Sequence, residues 1–118
     1  MWLDNNDVTG TIPTEAGLMT NLASFSITNA TLTGTIPTEM GNLSGLRRLW
    51  LYHNKLTGEI PQEFTNLDKL EVMEVHGNKI DGSMPNGVCD IIDNAEYEYK
   101  SLSSDCNEVK CNCCTKCY

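Results

Sequence analysis

Long apolar runs are missing from this chain of 118 residues. No stretch approaches the ~20 apolar residues that a membrane-spanning helix needs, and the first residues lack the basic start and apolar centre of a signal peptide. Basic residues are scarce as well, since eight Lys and Arg stand against sixteen Asp and Glu, for a net charge of −8. Because nucleic-acid affinity rests largely on clustered Lys and Arg, this balance argues against a nucleic-acid partner.

Residue patterns that carry catalysis are also missing. The sequence has no nucleophile elbow, no paired-acid spacing and no phosphate-binding loop. Its only histidines are His53 and His76, and a histidine outside such a pattern is more readily a contact residue than a base. We therefore expect a protein that is not an enzyme and that uses no cofactor and no metal.

Cysteine is absent from the first 88 residues and concentrated in the last 30. A segment this short has no room for an apolar core of its own, and small secreted segments compensate with disulfides. We expect disulfides here, although six cysteines allow fifteen pairings. The adjacent Cys113 and Cys114 rarely meet disulfide geometry with each other, so each should bridge elsewhere, and Cys89 is one candidate partner. The six are Cys89, Cys106, Cys111, Cys113, Cys114 and Cys117.

Two alternatives exist for these cysteines. Four or five thiolates within seven residues could surround a tetrahedral zinc ion, and Cys114-x-x-Cys117 has the spacing of a redox-active pair. However, the usual two Cys-x-x-Cys units with a longer spacer are missing, and no thioredoxin-like unit accompanies the pair. These observations favour disulfides.

The sequence does contain a repeat of 24 residues. The glycine column consists of Gly10, Gly34, Gly58 and Gly82, and the proline column of Pro13, Pro37, Pro61 and Pro85. The apolar positions of residues 43–64 recur one period earlier and one period later. Self-similarity at a fixed period of this length indicates a solenoid in which each repeat packs only against its neighbours.

The motif Leu-x-Leu-x-x-Asn-x-Leu-x-Gly-x-Ile-Pro, found at residues 49–61, resembles the repeat of the plant-type leucine-rich-repeat family. The resemblance runs from residue 1 to about residue 88. It implies a right-handed α/β solenoid of about four 24-residue turns, with short parallel strands on the concave face and 3₁₀, short-helical or irregular return segments. Asn6, Asn54 and Asn78 fill the structural Asn column of the family, which Ala30 interrupts.

Two segments follow from this reading. Residues 1–88 are the expected solenoid, and residues 89–118 are the expected Cys-rich C-terminal cap that covers its open apolar end. Met1 and Leu3 occupy the columns of strand residues, so the chain starts within a repeat, without the cap that terminal repeats need. We therefore expect an N-terminally incomplete solenoid, and the missing signal peptide carries no information on location.

The concave face is the expected binding surface. Strand alternation directs Arg48, Trp50 and Tyr52 outward, and exposed Trp, Tyr and Arg are the residue types in which binding energy concentrates. An alternative is that these side chains merely pack against one another on the sheet. The predicted ligand-binding residues are Arg48, Trp50, Tyr52, His53, Glu74, His76 and Trp2.

The resemblance also implies a role. Known relatives are ectodomains of receptor-like kinases and secreted inhibitors of cell-wall-degrading enzymes, so we expect an extracellular recognition module that binds a peptide, protein or glycan. The Cys-rich tail resembles the endings of secreted algal leucine-rich-repeat proteins of the diatom kind. A structural or adhesive wall-associated protein and a fragment of a receptor-like-kinase ectodomain are the alternatives.

Two glycosylation sequons agree with a secreted or cell-surface location. They are Asn29-Ala30-Thr31 and Asn42-Leu43-Ser44, and both lie on segments that should be accessible to the glycosylation machinery.

Overall fold

The structure, a computed structural model, describes residues 9–118. Met1, Trp2, Leu3 and Asn6 lie outside the described residues. The strands are β1 (Thr9–Thr11), β2 (Ser24–Ser26), β3 (Thr31–Thr33), β4 (Arg48–Trp50), β5 (Thr57–Glu59), β6 (Val72–Glu74), β7 (Lys79–Ser83), β8 (Ser101–Ser104), β9 (Val109–Lys110) and β10 (Lys116–Cys117). Three 3₁₀ helices span Thr14–Leu18, Thr38–Asn42 and Gln62–Asn66, and one α-helix, α1, spans Asn86–Asp93.

The concave sheet is parallel and has the strand order β10-β8-β6-β4-β2. Its repeat strands pair with a displacement of 24 residues, so that Phe25 lies opposite Leu49 and Leu49 opposite Met73. Every turn therefore places equivalent side chains in one column. The predicted leucine-rich-repeat solenoid with short parallel strands is confirmed.

A second set of parallel strands, which the repeat pattern did not predict, includes β3, β5, β7 and β9, and these follow the bends after β2, β4, β6 and β8. Strand β1 pairs with β3, and β5, β7 and β9 form a three-stranded sheet. The glycine column falls on these strands or directly after them, and Gly34 and Gly58 adopt φ values of 78° and 80°. Only glycine adopts this backbone conformation without steric cost, which explains why glycine recurs at this position in every repeat.

The core is a column of apolar side chains between the two sets of strands. Phe25, Leu49, Met73 and Leu102 are all fully buried, and the sheet register places each beside the next. Burial of apolar surface is the dominant favourable term in folding. Since each repeat buries its apolar side chains against its neighbours, the stack holds together along its axis.

The return segments are short 3₁₀ helices, as predicted. Each begins directly after a proline of the repeat, and Pro13, Pro37 and Pro61 have φ values of −73°, −63° and −59°, which suit the entry to a helix. The last return differs, because α1 follows Pro85 as a regular α-helix. None of the helices described in residues 9–118 has the length and apolar content needed to cross a membrane.

Asparagine side chains link the turns at the bends after β4 and β6, where Asn54 is buried and Asn78 is partly exposed. The Asn54 side-chain amide donates to the carbonyls of Ile27 and Leu51 at 2.8 and 3.1 Å and accepts from the Leu32 amide at 3.3 Å. Asn78 donates to the Leu51 carbonyl at 2.8 Å. These bonds satisfy backbone groups that no sheet ladder reaches.

The C-terminal tail continues both sets of strands. Strand β8 pairs with β6, with Leu102 opposite Met73, and β9 pairs with β7 on the other side. Three disulfides tie the tail together, namely Cys89–Cys113, Cys106–Cys117 and Cys111–Cys114. The expectation of disulfides is confirmed, and Cys113 and Cys114 each bridge to another cysteine.

We expect the substitution Asn54→Ala to destabilise the fold by about 3 kcal/mol, because it leaves buried backbone groups of two turns without partners. Urea titration of the free energy of unfolding is the measurement. Asn66→Ala, at the exposed end of the third 3₁₀ helix, is the matched control and should change stability by less than about 0.5 kcal/mol. Equal effects of the two substitutions would contradict the role of Asn54 in linking the turns.

Candidate functional site

The predicted ligand-binding residues separate into two groups along the concave sheet. Arg48 and Trp50 lie on β4 and Glu74 lies on β6, and all three are partly exposed. Tyr52 and His53 follow the end of β4, and they belong to a second group with His76. Trp2, the remaining predicted contact, lies outside the described residues.

The second group is an aromatic stack at the carboxyl end of the concave strands. The His76 ring lies parallel to that of Tyr52, with centroids 4.9 Å apart, and parallel to that of Tyr118 at 3.7 Å. His53 packs edge-on against Tyr52 and His76 at 5.3 and 5.2 Å. Because of this stacking, only 6% of His76 is exposed, so its ring packs beneath the surface.

The polar contacts of His76 are internal as well. Its Nδ1 lies 2.8 Å from the Ser103 hydroxyl, and Ser103 is fully buried. Asp105 accepts hydrogen bonds from the Gly77 and Asn78 amides at 3.0 and 3.1 Å, one with each carboxylate oxygen. Ser103, His76 and Asp105 therefore do not form a catalytic triad, because the serine is inaccessible and the aspartate binds backbone amides.

Burial lowers the pKa of His76 below its usual value, and the neighbouring His53 lowers it further. Glu74 and Asp105 act in the opposite direction, and Lys116 again lowers the pKa. The net effect favours the neutral imidazole, because burial disfavours the charged form.

The first group lines a groove between β4, β6 and the segment before β8, with a volume of about 400 Å³. We call this groove the concave groove. Its lining residues are Arg48, Trp50, Val72, Glu74, Tyr97, Tyr99 and Ser101. Tyr99 is 71% exposed and meets Tyr97 edge-on, with ring centroids 5.9 Å apart. The groove therefore offers aromatic surface to solvent.

Charged and polar groups are fixed around this aromatic surface. The Arg48 guanidinium lies over the Tyr97 ring, 5.2 Å from its centroid, within the range of a cation–π contact. A Glu74 carboxylate oxygen accepts from the Ser101 hydroxyl at 3.0 Å. Within the described part of the chain, the Arg48 Nε is buried and has no hydrogen-bond partner, which leaves one donor of the groove without an acceptor.

Sequence reasoning missed Tyr97, Tyr99 and Ser101 as site residues. They belong to the Cys-rich tail, and they reach the concave sheet only because β8 pairs with β6 and sets Ser101 opposite Val72. The available signal was the Tyr97-x-Tyr99 alternation, which one residue separates from a Ser-Leu-Ser-Ser segment. It lay outside the 24-residue period and could not be placed from the repeat alone.

The two glycosylation sequons lie on the surface. Asn29 is exposed at the bend after β2, where its φ of 51° is the left-handed conformation that asparagine tolerates better than most residues. Asn42 is exposed at the end of the second 3₁₀ helix. Both side chains are accessible for modification.

A family model described as leucine rich repeat matches residues 20–80. A search of curated proteins gives no significant match. Solved structures are similar over most of the chain. The crystal structure of a TDR receptor is 37% identical with a TM-score of 0.71, covering 82% of this chain and 16% of the receptor chain.

Two further structures show the range of the similarity. The ectodomain of the plant membrane receptor kinase GASSHO1/SCHENGEN3 from Arabidopsis thaliana, solved in complex with CASPARIAN STRIP INTEGRITY FACTOR 2, is 32% identical with a TM-score of 0.73, covering 86% of this chain and 11% of that one. A plant ice-binding protein has a TM-score of 0.75 at 24% identity, covering 94% and 34% of the two chains, and this likeness concerns the fold alone. The chain thus spans less than a fifth of the two receptor chains.

The buried His76 predicts a pH dependence of stability. Because its folded pKa lies below the unfolded value of about 6.5, the unfolded state takes up the proton first, and stability falls as the pH drops through 6.5 toward the folded pKa. We expect His76→Phe, which keeps a stacking ring without a titratable group, to lose less stability between pH 7.5 and 5.5 than the unaltered protein.

The measurement is the urea-derived free energy of unfolding of both proteins at pH 7.5, 6.5 and 5.5. His53, Glu74, Asp105 and Lys116 face His76 and are present in both proteins, so the difference between the two curves isolates His76. Parallel curves would show that His76 does not contribute.

Proposed function

Since the chain belongs to the leucine-rich-repeat family, we propose that it is a non-catalytic recognition module that binds a peptide, or an extended segment of a protein, in the concave groove. The observation that carries this proposal is the cluster of Trp50, Tyr97 and Tyr99 beside the incompletely bonded Arg48. Trp, Tyr and Arg are the residue types most enriched among the contacts that dominate binding energy.

The size and chemistry of the groove fit such a ligand. A volume of about 400 Å³ lies within the usual range of ligand pockets, and it suits one or two side chains of a bound peptide. Exposed rings offer apolar contact area at a low cost in conformational entropy. Glu74 and Ser101 add a hydrogen-bonding pair at the edge of the groove.

Arg48 supplies the polar anchor in this proposal. Its buried Nε has no partner in residues 9–118, and an unsatisfied buried donor carries an energetic penalty. A small rotation of the guanidinium on the Tyr97 ring would direct this donor to a ligand carbonyl or carboxylate oxygen. Ligand binding would then satisfy a group that the free protein leaves unbonded.

The similarity to receptor ectodomains supports the choice of a peptide or protein over a glycan. One of these ectodomains was solved in complex with CASPARIAN STRIP INTEGRITY FACTOR 2, and another, that of HAESA from Arabidopsis, in complex with an IDA peptide hormone ligand. The HAESA match is 31% identical and covers 65% of this chain and 13% of that one. A glycan ligand and a wall-associated adhesive role are the outcomes that would replace this proposal.

We expect Trp50→Ala and Tyr99→Ala each to weaken the binding of a groove-specific peptide at least tenfold, because each removes a ring from the groove. The probes are 12-residue peptides selected from a phage-displayed random library on the unaltered protein. Their dissociation constants are measured by isothermal titration calorimetry on the unaltered protein and on both variants.

Leu18→Ala is the control, since Leu18 is 79% exposed on the first 3₁₀ helix, away from the groove. It should leave the dissociation constants unchanged. Selected peptides that bind both groove variants as tightly as the unaltered protein would place recognition on another face. A library that yields no binder would count against peptide recognition.

We also propose that the protein is secreted or displayed at the cell surface. Three disulfides close the tail, and such bonds persist in oxidising compartments. Exposed sequons at Asn29 and Asn42 fit the same route. We include in this proposal that the Cys-rich tail is similar to the endings of secreted algal leucine-rich-repeat proteins of the diatom kind.

The mass of the protein purified from its native source checks this location. We expect no alkylation of the tail cysteines under denaturing conditions before reduction and six alkyl groups after it. We also expect a mass loss on enzymatic removal of N-linked glycans that Asn29→Gln and Asn42→Gln together abolish. Freely alkylated thiols on a chain without glycans would indicate a reducing compartment and overturn the proposal.

A further inference from the structure

A second groove lies at the lateral edge of the solenoid, where the segment after α1 passes the starts of β4 and β6. It is the larger of the two, with a volume of about 610 Å³, and we call it the lateral groove. We propose that it binds a Lys- or Arg-rich segment of a protein partner. Three features of the groove favour such a ligand, namely its charged rim, its apolar floor and the Tyr97 ring at its border.

The rim carries carboxylates that the protein itself does not neutralise. Asp68, Asp90 and Glu96 line the groove and are exposed, and none of them forms a salt bridge with another residue in the described range 9–118. Two basic residues also line the groove: Arg47 is paired with Glu71 at 2.7 Å, and Lys69 forms no salt bridge within residues 9–118. The four carboxylates of the lining, on Asp68, Glu71, Asp90 and Glu96, therefore outnumber its two cations by two. The lateral groove therefore presents unpaired negative charge in a protein whose net charge is −8.

These carboxylates come from three separate positions, with Asp68 before β6, Asp90 on α1 and Glu96 after α1. Residues 9–118 contain no group of three His, Cys, Asp or Glu side chains close enough to hold one metal ion. Negative charges spread along a groove instead match the spaced ammonium or guanidinium groups of a basic peptide. The overall negative charge adds long-range attraction for such a partner.

The floor explains why long basic side chains fit better than small cations. The apolar floor consists of Ile91 and Ala95, which line the groove and are partly exposed. Leu70 also lines the groove but is fully buried and offers no surface to a ligand. Lys and Arg bury their methylene stems along apolar surface while the charged end stays in a polar environment. The apolar floor can contact the methylene stems, and the carboxylate rim can contact the charged ends.

Tyr97 adds a site for a cation. One cation, the Arg48 guanidinium, already lies 5.2 Å from its ring centroid, on the side of the concave groove. The ring also lines the lateral groove, and aromatic faces attract cationic groups. This inference does not depend on the ligand of the concave groove, since Trp50, Glu74 and Tyr99 do not line the lateral one.

The first test uses a fluorescein-labelled hexa-arginine peptide with a capped C-terminus, titrated in buffer of low ionic strength. We expect the triple variant Asp68→Asn, Asp90→Asn, Glu96→Gln to bind at least tenfold more weakly than the unaltered protein. The matched control is Glu59→Gln, Asp81→Asn, Glu108→Gln, which removes the same charge from exposed positions on or beside β5, β7 and β9. Its affinity should change less than about twofold.

Equal weakening in the two triple variants would show that the peptide responds only to net charge, and it would overturn the proposal. Failure of the unaltered protein to bind the peptide would overturn it as well. Circular dichroism and thermal unfolding of each variant establish that the fold is intact. The side chains replaced are all exposed, so we expect unchanged unfolding temperatures.

A second test separates the apolar floor from the charge. Hexa-lysine and hexa-diaminobutyrate carry ammonium groups on stems of four and two methylene groups. We expect the long-stem peptide to bind the unaltered protein at least fivefold more tightly, and equal affinities would contradict the role of the floor. Trp50→Ala should leave hexa-arginine binding unchanged even where it abolishes binding in the concave groove, so the two proposals can fail independently.

Discussion

The fold depends on parallel pairing at a displacement of 24 residues. A single turn of this chain leaves its inward-facing apolar side chains uncovered along the solenoid axis, so it can bury them only against the next turn. The register Phe25–Leu49–Met73 brings like residues together, and the Asn54 and Asn78 amides fix the bends so that this register holds. The recurring glycines and prolines give every turn the same backbone path, and the turns can stack only if they follow the same path.

The tail obeys this constraint although it does not share the repeat. Leu102 takes the place beside Met73 that the next repeat would fill, and β9 does the same beside β7. The concave groove exists because of this junction, since it combines Arg48, Trp50 and Glu74 of the repeats with Tyr97 and Tyr99 of the tail. The candidate site is thus a product of how the tail pairs with the last repeat strands.

Much of the fold could be predicted from the sequence, because the period repeats four times and each column has a physical meaning. The parallel strands, the 3₁₀ returns and the disulfides follow from patterns of this kind. The second set of strands could not be predicted, since it is only three to five residues per turn and has no apolar alternation of its own. In the candidate site, the 24-residue period placed Arg48, Trp50 and Glu74 on the concave sheet. The position of Tyr97 depends on the pairing of β8. The burial of His76 depends on Tyr118, which stacks on it.

Tyr97 borders both grooves, and this shared ring has a thermodynamic consequence. A ligand in either groove that shifts the ring alters the free energy of binding in the other. By linkage, the effect of the first ligand on the second equals the effect of the second on the first. Under the two binding proposals, a single tyrosine would couple two ligands that never touch each other.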